Sequence, residues 1–256
     1  MSLKIQQIVI FITIIVFTAC RDHPLALSEI RGSQLPITDT LPQADSLESF
    51  IAPYRKRVDE ILDSTLSYAP YTISKTDGQY NTTAGNLMAD IVLQEANPIF
   101  KARKGKDIDF VLLNHGGIRS VISPGPVSAR TAYQVMPFDN SIVVAELRGK
   151  AVRELVSFLV QTRRPHPISG IQIVLGKNNS LQQVNIQGIP FDENRTYYVA
   201  TSSYLTQGGD DMVFFRDAEN FTETDYYIRN AMIDYFKKTD TLKPRVDDRF
   251  IKNIGL

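Results

Sequence analysis

The sequence predicts an α+β fold, a single domain with one mixed β-sheet flanked by helices. Three observations carry that expectation. Short β-prone runs, among them Ile108 to Leu113 and Tyr197 to Ala200, are interspersed with stretches of helical spacing. The two kinds of segment do not follow a regular βα alternation, which argues against a purely parallel sheet. The 256 residues are 43% apolar, enough for an ordinary packed core.

Taken in order, the chain opens with a single charge, Lys4, and then an apolar run from Ile8 to Ala19 broken only by Thr13 and Thr18. Spanning a bilayer takes about 20 apolar residues, so the run is short for an anchor but has the length of a signal-peptide core. It ends in Phe17-Thr18-Ala19-Cys20, which resembles the lipobox of bacterial lipoprotein precursors. That resemblance implies cleavage before Cys20, a lipid on its thiol and an exported, membrane-anchored protein of the cell envelope. An uncleaved anchor or a plain secretory signal is the alternative reading, and either still exports the rest of the chain. Cys20 is the only cysteine, so no intrachain disulfide can form and the core alone must hold the fold.

Removing residues 1–19 takes Lys4 away and leaves 27 basic residues against 28 acidic ones. Nothing in that balance points to nucleic acid. Residues 20–45 are rich in Pro, Ser, Thr and Leu without a period and read as a tether. From residue 46 the apolar positions Phe50, Tyr54, Val58, Ile61, Leu62 and Leu66 recur at three and four, predicting a helix that ends before Pro70. A second stripe begins at Gly85-Asn86 and runs through Leu87 and Ile91. Ile108 to Leu113, almost wholly apolar, suits a strand buried on both faces. Ser123 to Pro126 reads as a turn, Ser141 to Leu147 as β-rich, and Gly149-Lys150 as the entry to a helix carrying Val152, Leu155, Val156 and Leu159. Turns are expected at Gly176 to Ser180 and Gln187 to Pro190, and a final amphipathic helix from Asp225 to Lys238. No repeat and no second linker appear, so one domain over residues 46–256 is expected.

Several chemistries lack their residues. The histidines, His23, His115 and His166, stand far apart in no ligand spacing, whereas a metal hydrolase centre needs several imidazoles and carboxylates converging on the ion. No Walker loop, dinucleotide fingerprint or Gly-x-Ser-x-Gly elbow is present. Three loops remain. Asn114-His115-Gly116-Gly117-Ile118-Arg119 follows the buried strand, where ligands dock in α/β proteins. Its glycines permit close backbone approach, Asn114 offers paired donor and acceptor, and Arg119 a planar cationic fork. Pro137-Phe138-Asp139-Asn140 and Tyr204 to Asp211 each place an aromatic among polar residues, and two such rings can sandwich a base. The same residues also fit plainer roles: Asn114 capping a turn, Arg119 a solvated charge, Phe138 in the core and Asp210 in a turn.

Gly85 to Asp90, Asn114 to Arg119, Met136 to Asn140 and Tyr204 to Asp210, in this order and spacing, resemble the C-terminal domain of the 5'-nucleotidase family, whose members hydrolyse nucleotides and UDP-sugars. The resemblance implies that Asn114 contacts the base and Arg119 the ribose-phosphate end. It further implies that Phe138 and Tyr204 stack on the base and that Asp210 binds the ribose hydroxyls. Two departures stand out. His115 takes a position where the family usually has glycine, which is expected to put a bulky group near the ligand. The stretch Gly78 to Thr83 lacks the glutamate and the arginine usual ahead of Gly85.

Full-length members also carry an N-terminal metallophosphatase domain with two metals. No cofactor is expected in this chain, and two divalent metals are expected on a separately encoded, exported metallophosphatase partner. The implied function is the nucleotide- or nucleoside-binding subunit of a split hydrolase, inactive alone. A receptor without hydrolytic role and a degenerate interaction module are the alternatives.

Overall fold

The computed structural model describes residues 2–19, 27–38, 41 and 44–253. Cys20 and part of the expected tether lie outside them. The chain divides into two units, residues 1–50 and 51–256. In the first, helix α1 (Ser2–Ala19) is followed by residues 27–38, which form neither helix nor strand, and by the start of α2 (Asp45–Asp63). Among the described residues no helix is long and apolar enough to cross a membrane.

The second unit continues through β1 (Thr65–Ala69), α3 (Thr83–Lys104), β2 (Phe110–Leu112), β3 (Gly125–Ser128), α4 (Ala129–Val135), β4 (Ser141–Arg148) and α5 (Gly149–Thr162). Then come β5 (Ile168–Ser169), β6 (Ile171–Leu175), β7 (Leu181–Ile186), β8 (Ile189–Pro190), β9 (Thr196–Ser202), α6 (Ser203–Thr206), β10 (Asn220–Tyr227), α7 (Ile228–Lys238) and β11 (Phe250–Lys252).

The α+β expectation holds. A five-stranded sheet runs β10-β4-β9-β2-β5, with β9 and β2 parallel and the other neighbours antiparallel. Period-two alternation feeds two cores. Val111, Ile142, Val144 and Ala200 face a cluster with α3, α4 and α7, while Phe110, Leu112, Ala145, Leu147 and Val199 face a cluster with α5. That division is why β2 itself is apolar at every position: both faces of the strand are covered. A four-stranded sheet, β11-β6-β7-β8, extends the second core, and β1 and β3 pair as a ribbon.

Local chemistry fixes the main helix that backs the sheet. The Thr82 hydroxyl caps α3 by accepting from the Gly85 N–H at 3.1 Å. Gly105 ends the helix in the left-handed region at φ 66°, after a last turn bearing Lys101, Arg103 and Lys104.

Three boundaries differ from the sequence reading. α2 stops at Asp63, and Thr65–Ala69 pairs with β3 instead, because Ser67 and Ala69 turn inward at strand spacing while Tyr68 turns out. Ser123 to Pro126 leads into β3. The final helix starts at Ile228, and Asp225, with φ 56°, sits in an irregularity of the strand before it.

Candidate functional site

The sheet order brings three distant loops together. Because β2 and β9 are parallel and β4 is antiparallel to β9, the C-terminal ends of β2 and β9 and the N-terminal end of β4 share one edge. Residues 114–119 leave β2 there, residues 137–140 enter β4, and α6 with residues 207–211 leaves β9. Between them lies a cavity of about 280 Å³. All five residues singled out from the sequence, Asn114, Arg119, Phe138, Tyr204 and Asp210, line it, together with Gly116, Gly117 and Asn140.

Asp210 is the polar centre. Its backbone is left-handed (φ 51°), which carries its carboxylate back toward the glycine loop. The Asn114 amide donates to Oδ2 at 2.9 Å and the Tyr204 hydroxyl to Oδ1 at 3.0 Å. A carboxylate has about four acceptor positions, so one on each oxygen is left for a ligand. The bond to Asp210 is also the main cause that lifts the Tyr204 hydroxyl above the usual tyrosine pKa. One side of the Tyr204 ring rests on Gly209, where any Cβ would meet ring carbon Cε1 at 2.5 Å. Glycine is therefore required beneath the ring. Across the cavity Phe138 is 42% exposed, and the Arg119 guanidinium lies 5.8 Å from its centroid. That distance suits a cation over an aromatic face.

His115 does not crowd the cavity, contrary to expectation. Its ring is turned toward Lys75, with Nε2 3.1 Å from the Lys75 carbonyl oxygen. Meeting a carbonyl requires the proton on Nε2, which leaves Nδ1 bare, buried and without a partner. Burial is the first cause holding the His115 pKa below its usual range, ahead of the positive field of Arg164. Lys75 returns the contact by donating from Nζ to the Ile118 carbonyl at 2.6 Å, so the segment before α3 and the glycine loop clasp each other. The backbone N–H of His115 donates to Nδ1 of buried His166 at 3.2 Å.

Two cations escaped the sequence reading. Burial first, then the fields of Arg119 and Arg164, press the Lys75 pKa down, so these two arginines lie near enough for their charge to act on Lys75. Neither Lys75 nor Arg164 belongs to a motif. Lys75 arrives through its loop before α3 and Arg164 through the end of α5, so only tertiary packing brings them in. Among the described residues no three His, Cys, Asp or Glu side chains converge as they would to hold a metal ion.

Fold and cavity together define an α+β domain with a loop-built cleft where a mixed sheet presents its strand ends. The model of the family described as "5'-nucleotidase, C-terminal domain" matches residues 64–217, and the chain belongs to that family. It is 25% identical over 245 residues to the "Trifunctional nucleotide phosphoesterase protein YfkN" of Bacillus subtilis, covering 88% of this chain and 16% of that protein. To "Protein UshA" of Escherichia coli (strain K12) it is 28% identical over 140 residues, covering 52% of this chain and 25% of that protein. The chain thus spans a quarter or less of the length of these two relatives. The 5'-nucleotidase precursor from Thermus thermophilus has the same fold, with a TM-score of 0.66 at 21% identity over 82% of this chain and 44% of that one.

Proposed function

We propose that this chain is the nucleotide-binding subunit of a 5'-nucleotidase-type hydrolase, with the metal-bearing phosphatase half on a separate exported chain. The observation that carries the reading is the convergence of Asn114, Arg119, Phe138, Tyr204 and Asp210 on one cavity from three loops. Phe138 and Tyr204 stack on the two faces of the base, and Asn114 reads its edge. Asp210, already held by Asn114 and Tyr204, takes the ribose hydroxyls on its remaining acceptor positions. Arg119, backed by Lys75 and Arg164, faces the phosphate. The cation end supports a nucleotide over a bare nucleoside, since three positive groups near an exposed mouth raise local anion concentration. The two divalent metals, and the water they activate, belong to the partner.

The lipid on Cys20 holds the subunit at the membrane surface, where a partner held there too meets it at raised effective concentration. Calorimetry with adenosine, AMP and UDP-glucose tests the binding. AMP is expected to bind more tightly than adenosine, with the difference shrinking as salt rises. The absence of binding heat with all three would leave only an interaction module. Phosphate release by the purified chain in Mn²⁺ or Zn²⁺ is expected to be nil, and steady turnover would refute the assignment of the metals to another chain. Binding with no gain of turnover beside any exported metallophosphatase would favour a receptor.

A further inference from the structure

We infer that Arg229, outside the cavity, is the positioning residue for the Phe138 wall; the inference rests on Phe138 stacking on the ligand base. Phe138 is 42% exposed, so core packing does not hold its ring and the backbone of residues 137–140 decides where the ring stands. That backbone is wired to the first two residues of α7. The Ile228 N–H donates to the Asn140 carbonyl at 3.0 Å. Arg229 Nη1 donates to the Pro137 carbonyl at 3.2 Å and the Phe138 carbonyl at 3.4 Å, and Nη2 to Asp139 Oδ1 at 2.6 Å. Every residue of the loop therefore accepts a bond from Ile228 or Arg229.

Arg229 is itself immobilised. It is 8% exposed, and its guanidinium carbon lies 4.3 Å from the centroid of the Tyr133 ring on α4. A planar fork with several fixed donors can serve two carbonyls and a carboxylate at once, which the single ammonium of lysine cannot do in the same plane. The Asp139 end of the pair is largely exposed, with 73% of its side chain accessible. Exposed pairs contribute little, so the two carbonyl bonds, made from the buried side, fix the loop. α7 thus carries information to the cavity without contributing a side chain to it.

The chain contains no tryptophan, so Phe138→Trp installs a single fluorescent reporter in the wall. In ligand-free protein, adding Arg229→Met to Phe138→Trp is expected to lower tryptophan anisotropy and raise acrylamide quenching. Arg229→Lys should resemble Met, and Asp139→Asn, which leaves the two carbonyl bonds in place, should stay near the parent. With Phe138 in place, Arg229→Met is expected to weaken AMP roughly tenfold, inside the range a stacked base contributes. It should leave ribose 5-phosphate, which has no base, unchanged, and add nothing in a Phe138→Ala background.

A reporter equally rigid with and without Arg229 overturns the inference, as does equal loss of AMP and ribose 5-phosphate. Should Arg229→Met not fold, Arg229→Lys carries the mobility comparison, and an unchanged reporter signal there counts against it. If the unaltered chain binds no AMP, the functional reading fails, while the fluorescence result still decides the role of Arg229.

Discussion

Acid should loosen this domain through His166, and the size of the effect can be worked from its surroundings. The imidazole is buried, and burial first, then the positive fields of Arg164 and His115, push its pKa down to about 4 from an ordinary 6.5. Its Nδ1 accepts the His115 N–H, a bond available only to the neutral ring. Above pH 6.5 the ring is neutral folded or unfolded and favours neither state. Between 6.5 and 4 the unfolded chain takes up the proton that the folded one refuses, so stability falls as pH falls, and the loss is complete below about pH 4. A difference of roughly 2.5 pKa units corresponds to about 3 kcal/mol. His166→Asn keeps an acceptor at the same reach and removes the titration. Urea midpoints at half-unit steps from pH 7.5 to 3.5 then give the test. The parent should lose about 3 kcal/mol more than His166→Asn across that window, whatever constant cost the substitution adds. Parallel profiles for the two proteins would show that His166 titrates as an ordinary surface histidine.

Further outcomes follow from the cavity and the leader. Phe138→Ala and Tyr204→Ala should each weaken AMP by roughly 5- to 150-fold by calorimetry, the range for losing one stacked base. Tyr204→Phe keeps the ring and removes only its bond to the Asp210 carboxylate, so the worth of one charge-assisted hydrogen bond, at most about 1.5–3 kcal/mol, is the expected loss. A larger effect there would mean that the hydroxyl touches the ligand. Gly209→Ala drives a methyl into the Tyr204 ring and should abolish binding while leaving the unfolding free energy from urea titration within about 1–3 kcal/mol of the parent, the usual cost of overpacking. In a bacterial host, metabolic labelling with an alkyne fatty acid should mark the full chain and not Cys20→Ser; labelling of both would place the lipid elsewhere, and labelling of neither would exclude it.

Much of the candidate site was legible because its parts are local. Asn114 to Arg119 and Tyr204 to Asp210 combine glycines, an aromatic and a few polar groups within six or seven residues, and the turns those glycines permit are short-range consequences of the chain. What each residue meets was not legible. Lys75, Arg164 and His166 reach the glycine loop only through packing of α3, α5 and the sheet. The sequence reading placed His115 near the ligand because loop position was all it had; the Lys75 carbonyl that draws the ring away lies 40 residues upstream. Among the elements, β2 declared itself because both faces are buried. β1 and β10 did not, since Leu66 happens to continue the helical spacing of α2 and Asn220–Tyr227 is mostly polar, an edge strand whose carbonyls at Glu223 and Thr224 are covered by Arg103.

The place of β9 in the sheet also sets the order in which the cleft can come into being. β2 and β4 have no edge in common; β9 lies between them and pairs with both. Before residues 196–202 are in position, the glycine loop and the approach to the Phe138 loop can already meet through the Arg119 N–H bond to the Val135 carbonyl at 2.9 Å, but Tyr204 and Asp210 have yet to follow. A chain interrupted between Asn140 and Thr196 therefore holds two of the three loops and lacks the Tyr204 and Asp210 wall of the cavity. Ligand retention becomes a report that the last central strand has docked, a criterion by which properly completed molecules can be separated from truncated ones in a single affinity step.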